Sequence, residues 1–164
     1  MYKDNPVVAF RGKLDSLCAM ILEAQLLGEQ AENRAFVDDL QETLEFVRRI
    51  FPAEYKGTPM EEPRPPGMTG EELRERSHNP EKYFGRGHLQ MDKSMGGLCL
   101  RLNLLRTFTR ETELAAVAAF RDTSAPSGSR RPDIVEALNR LSSLFYILTY
   151  KYLPGDYPRQ NNAK

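Results

Sequence analysis

Residues 131–152 read RPDIVEALNRLSSLFYILTYKY. Leu138, Leu141, Leu144, Phe145 and Leu148 recur at steps of three and four, the spacing of one face of an α-helix. Asp133 and Glu136 lie in its first turns, where the helix dipole favours negative charge. A helix is therefore expected from about Pro132 to Tyr152. Working outward, the same period appears three more times. After Asn5-Pro6, a cap followed by proline in the first turn, Phe10, Leu14, Leu17, Ile21 and Leu22 mark a helix ending near Gly28. Phe36, Leu40, Leu44, Val47 and Ile50 mark a second from about Ala31 to Phe51, with Pro52 as its stop. A third is expected over roughly 93–121, with Leu98, Leu102 and Leu105 on its stripe.

The rest connects these helices. Residues 52–91 hold Pro59, Pro63, Pro65, Pro66 and several glycines, so a long loop is expected there, with one short helix over 70–77. Connections this long inside a compact domain are usually functional or mobile. Residues 122–129 form a linker rich in Ser, Pro and Gly, and residues 154–164 a polar tail. No internal repeat and no strand is legible. The fold class is all-α, a helical bundle of four long helices plus a short one, with a single domain over residues 3–153.

The 164 residues balance 23 Lys+Arg against 23 Asp+Glu. A zero net charge gives no global field for nucleic acid or an anionic membrane, so any anion must be held by a local basic cluster. The start of the chain has no signal-peptide apolar stretch, and no run is long enough to span a bilayer. Cys18 and Cys99 are far apart and match no zinc-finger or CxxC spacing, which reads as two reduced, partly buried thiols in a cytoplasmic protein.

Three clusters carry chemistry. Arg106, Arg110 and Glu113 share a face of the third helix beside its apolar stripe. Two guanidiniums one turn apart suit a polyphosphate, and a carboxylate beside them could orient one or help hold Mg²⁺. The same pattern also fits a solvated face with surface ion pairs. Asn139 sits among core leucines, although asparagine is a poor helix former. It could bind a ribose or phosphate, or make a polar contact between helices. Gly12 within the first helix suggests close packing or a ligand. Asp15 lies four residues past Arg11 and could simply pair with it.

Together these stretches resemble the ATP:cob(I)alamin adenosyltransferases, most closely the branch of the ethanolamine-utilisation operon. The resemblance rests on Leu102-Asn-Leu-Leu-Arg106-Thr-x-x-Arg110-Glu-Thr-Glu113 and on Arg131-Pro-Asp-Ile-x-x-Ala-Leu-Asn139-Arg-Leu-Ser-Ser143. It also rests on Ser77-His78-x-Pro80-x-x-Tyr83 and on Lys3-Asp4-x-Pro6 with Gly12-x-x-Asp15. It implies an oligomeric helical bundle, a trimer in the wider family, with active sites between subunits. Lys3, Arg110, Glu113 and Asn139 would bind ATP, with Arg110 and Glu113 catalytic. Asp15 and Arg106 would form an ion pair across the subunit interface. The activity implied is transfer of the 5′-deoxyadenosyl group of ATP, with Mg²⁺, to the cobalt of reduced cobalamin. A flavoprotein reductase would be a partner, and a bacterial microcompartment a possible location.

The chain departs from that pattern in three places. The family's Gly- and Thr-containing triphosphate loop is not in it. The branch's cysteine-rich metal motif is also absent, so no metal site is expected. Where the wider family places a Phe under the corrin, this chain reads Gly87-His88-Leu89-Gln90. His88 and Leu89 are therefore the corrin-pocket candidates, His88 being alternatively a plain polar loop residue. Two rivals to the enzyme follow: a non-catalytic corrinoid- or nucleotide-binding homologue, and a structural helical protein.

Overall fold

The computed structural model describes residues 2–65 and 68–155. Met1, Pro66, Gly67 and the part of the expected tail from 156 onward lie outside the described residues. Helix α1 spans Pro6–Gln30 and α2 Arg34–Lys56. Two short helices follow, α3 Gly70–His78 and α4 Pro80–Phe84, then a 3-10 turn at Lys93–Met95. Helices α5, Gly97–Ala119, and α6, Pro132–Lys151, complete the chain. Among the described residues the extended pairing is a single bridge between Arg121 and Ser129. The all-α bundle expected from the sequence is the architecture found.

Cross-helix bonds fix the directions. Gln25 reaches Val37 and Gln41 while Arg11 reaches Glu54, so α1 and α2 run antiparallel. Lys13 pairs with Glu111 and Arg101 with Glu23, so α1 and α5 do likewise. Asn139 meets Glu113 and Cys99 meets Thr149 across α5 and α6. Lys151 meets Asp39, and Arg131 meets Ala53, closing the ring through α2 and α6. Every neighbour in this four-helix ring is antiparallel, with one long crossover over residues 57–96.

The apolar stripes fill the centre. Phe10, Leu14, Leu17 and Ile21 of α1, all five stripe residues of α2 and Leu138, Leu141 and Phe145 of α6 are at most 1% exposed. Leu22 leaves the stripe and is 46% exposed. Both cysteines are free and buried, and burial pushes the Cys18 thiol up and the Cys99 thiol to about 11, which leaves both protonated and unreactive.

The boundaries differ from the sequence reading where local chemistry was outvoted. Pro52 lies inside α2, not after it. Proline there forgoes one backbone bond and crowds the preceding turn, but buried Ala53 keeps the helix packed until Gly57, whose φ of 70° supplies a left-handed cap. The third long helix starts at Gly97 because Gly96, at φ 85°, breaks it from the 3-10 turn. Helix α4 has no counterpart in the sequence pattern. Its Pro80 start and Gly85 stop bracket only five residues, too few to show a period.

Candidate functional site on the α5/α6 groove

Helix α5 places Asn103, Arg106, Arg110 and Glu113 on the side that faces α6. Asn139 donates from its amide to Glu113 at 3.2 Å. Since Asn139 is exposed and Glu113 half-buried, this is a polar bridge across the mouth of the groove. The interhelical contact weighed for Asn139 is therefore present, and it leaves the rest of the amide open.

Arg106 is half-buried, and its Nε and Nη2 both donate to the Asn103 side-chain oxygen, at 3.1 and 3.0 Å. That partner is neutral. Burial eases the Arg106 guanidinium downward, and the charge of Arg110 adds to the effect. Among the described residues no carboxylate forms an ion pair with Arg106, and Arg110 has no hydrogen-bond partner. Two adjacent cations thus stand without a carboxylate bonded to either among the described residues, an arrangement that favours an arriving anion.

Further along the groove α6 presents Tyr146 and Tyr150. Tyr150 donates to the Gly87 carbonyl at 2.7 Å, Tyr146 and Tyr150 hydroxyls lie 3.0 Å apart, and His88 Nδ1 lies 2.9 Å from the Tyr146 hydroxyl. Phe84 stacks on Tyr150 at 4.7 Å. Burial, then the Tyr146 hydrogen bond, pushes the Tyr150 phenol far above its ordinary value, while a backbone bond from Leu89 opposes this. The loop that carries His88 and Leu89 is therefore fastened to the same groove as Arg106, whose charge feels Tyr146. Tyr146 and Tyr150 escaped sequence reasoning because they sit in an apolar run and read as core. The available signal was their hydroxyls, one turn apart, each needing a polar partner. A hollow of about 490 Å³ opens beside the loop, lined by His78, Asn79, Glu81 and Lys82 from α3, α4 and their junction, and by Gly87 and His88.

Other sequence-predicted residues stand apart. Lys3 is exposed, ahead of the first turn of α1, and no bond joins it to Arg110, Glu113 or Asn139. Asp15 is exposed four residues beyond Arg11, which turns instead to Glu54 of α2 at 2.9 Å, so the Arg11–Asp15 pairing is not formed. Asp15 thus lies toward α2 and Arg106 toward α6, and one chain does not bring them together. A Cβ at Gly12 would meet nothing within 4 Å, so no close packing among the described residues accounts for that glycine. A second hollow, of about 580 Å³, lies between α2, residues 61–65 and α6, and contains none of the expected site residues. No helix among the described residues is long and apolar enough to cross a membrane.

The comparisons with known proteins bear on this groove. Corrinoid adenosyltransferase EutT of Escherichia coli (strain K12) is 37% identical over 147 residues, which cover 89% of this chain and 52% of that protein. The protein of the same name from Salmonella typhimurium is 36% identical over 147 residues, again covering 89% and 52%. The chain spans about half the length of the curated relatives it matches. No solved structure matches it. The family model described as cobalamin adenosyltransferase matches residues 1–152, which takes in all four long helices and the whole groove, and the chain belongs to that family.

Proposed function

We propose that residues 3–153 form the catalytic domain of a corrinoid adenosyltransferase, which joins the 5′-deoxyadenosyl group of ATP to the cobalt of reduced cobalamin. The observation that carries this reading is the Arg106–Arg110 pair, uncompensated by any carboxylate partner among the described residues and one turn from the Asn139–Glu113 bridge. The cobalt(I) electron pair forms the bond to C5′, the C5′–oxygen bond breaks, and its electrons leave with triphosphate, giving adenosylcobalamin. The corrinoid supplies the nucleophile, and the protein supplies position and field. Arg110 would stabilise charge gathering on the triphosphate, and Asn139 would hold the nucleotide. Glu113, whose only side-chain partner among the described residues is a neutral amide, suits Mg²⁺ on the phosphates. No general base is needed.

Lys3 joins this site, in our reading, from a second copy of the chain, and a trimer with sites between subunits accommodates it. His88 and Leu89, fastened by the two tyrosines, stand for the wall beside the corrin. A flavoprotein would deliver the electron that makes cobalt(I).

The test is single-turnover formation of the cobalt–carbon bond from ATP and chemically reduced cobalamin. Arg110→Ala should slow it about a hundredfold or more. Full activity in that variant would remove the assigned role. ATP binding with no adenosylation by the unmodified chain would favour a non-catalytic binding homologue.

A further inference from the structure

The chain contains two histidines, His78 and His88, and both line the hollow of about 490 Å³ beside α3 and α4. Counting protons assigns the tautomer of each. The Tyr150 hydroxyl spends its one proton on the Gly87 carbonyl. The Tyr146–Tyr150 bond must then use the Tyr146 proton. The His88–Tyr146 bond has no proton left except one on His88 Nδ1. For His78, Nδ1 lies 2.8 Å from the Arg74 carbonyl, which can only accept. The neighbouring Ser77 hydroxyl already donates to that same carbonyl, so it cannot donate to the ring. Each imidazole therefore carries its proton on Nδ1.

Neutral imidazole has one N–H and one lone pair. In both rings the lone pair lies on Nε2, and neither Nε2 has a hydrogen-bond partner among the described residues. Both side chains are exposed at the hollow they share. An Nδ1–H donating to an oxygen, with Nε2 left free, is the arrangement that orients a histidine for a metal and raises its basicity. We propose that His78 and His88 together bind a divalent d-block cation through Nε2. Among the described residues no group of three or more His, Cys, Asp or Glu could hold a metal ion. The two imidazoles are the ligands that the described residues offer, and water completes the coordination, which makes the ion exchangeable. Imidazole pairs of this kind suit Zn²⁺, Ni²⁺ or Cu²⁺, not Mg²⁺ or Ca²⁺. Binding would tie the end of α3 to the loop that Tyr146 and Tyr150 hold against the groove.

The experiment is calorimetric titration of the whole chain with Zn²⁺ at pH 7.5, alongside ¹⁵N-edited NMR of the histidine rings. One Zn²⁺ per chain is expected, with His78→Ala and His88→Ala each weakening it by about tenfold or more. Tyr146→Phe leaves both ligands in place but removes the acceptor that orients His88, and should weaken binding by about tenfold. The metal-free spectrum should show both rings protonated on Nδ1, with the Nε2 signals moving on titration. Wild-type affinity in either single histidine variant would overturn the shared site. So would an Nε2-protonated ring in the metal-free protein, or titration that leaves both rings unmoved.

Discussion

Asn139 shows what one side chain must do in two settings. In the chain alone its amide bridges to Glu113 at 3.2 Å from an exposed position. A hydrogen bond from an exposed amide at the solvated mouth of the groove contributes little, so Asn139→Ala should change thermal stability by less than about 0.5 kcal/mol. Alanine is also the better helix former, which offsets part of any loss. ATP affinity should nonetheless fall, because the amide is a ligand group in the proposed site. Thermal denaturation and nucleotide titration on the same preparation separate the two effects, and an unchanged affinity would leave Asn139 a mere interhelical contact. Asp133 carries a different kind of information. Burial opposes its ionisation, yet hydrogen bonds from Arg131 and the Met60 N–H, with the Arg131 charge, hold its carboxyl below the ordinary value. A depressed folded value means stability that is present above the unfolded value and lost as pH falls through the folded one. Acid unfolding of the wild type should therefore steepen below about pH 4, and Asp133→Asn should flatten that limb. Identical acid limbs in the two proteins would show that the carboxylate is not linked to folding. The Arg106, Arg110 and Glu113 cluster was legible from spacing alone because helical period fixes which residues share a face. The Tyr146–Tyr150–His88 connection was not, since it joins residues 58 positions apart through a loop with no period.

Within the elements, the α1–α2 hairpin depends on a close approach that the sequence signalled only as a stop. Gly28 is buried in the last turn of α1, and a Cβ there would lie 2.6 Å from Phe36 Cδ1 and 3.1 Å from Val37 Cγ2. Phe36 is fully buried and stacks edge-on against Tyr152 at 5.1 Å, so its ring has little room to withdraw. Gly28→Ala gains helix propensity of about 1 kcal/mol, but forcing a methyl into a packed ring costs about 1–3 kcal/mol. A net loss of stability is expected, read as a lower urea midpoint with an unchanged slope. A higher midpoint would show that the ring shifts freely. The glycine thus marks packing of two helices, and α1 continues two residues beyond it. Pro52 departs in the opposite sense: proline is a terminator by local rule, but tertiary burial of Ala53 and the Gly57 cap carry α2 one turn further. Local signals set the number and type of the long helices, whereas their last turns were decided by what each end packs against.

For the whole molecule, the ring of four antiparallel helices buries the apolar stripes but leaves proposed site residues on opposite sides. Asp15 lies on the flank of α1 toward α2, and Arg106 faces α6. A Cβ at Gly12, one turn before Asp15, would meet nothing within 4 Å among the described residues, which leaves room for another backbone to approach. A second copy that brought its Arg106 to this Asp15 would explain both the open glycine and the guanidinium left with only an amide for a partner. Reversing charge tests this directly. Asp15→Lys alone, or Arg106→Glu alone, sets like charges against each other and should weaken assembly. The double variant restores an opposite pair and should recover assembly, with a coupling of about 1–3 kcal/mol. Sedimentation velocity is the right reading, because Arg106 also stands beside the proposed anion site and activity would mix the two roles. Losses that simply add in the double variant would place Asp15 and Arg106 in separate environments and leave Lys3 without the intersubunit route that the proposed triphosphate site requires.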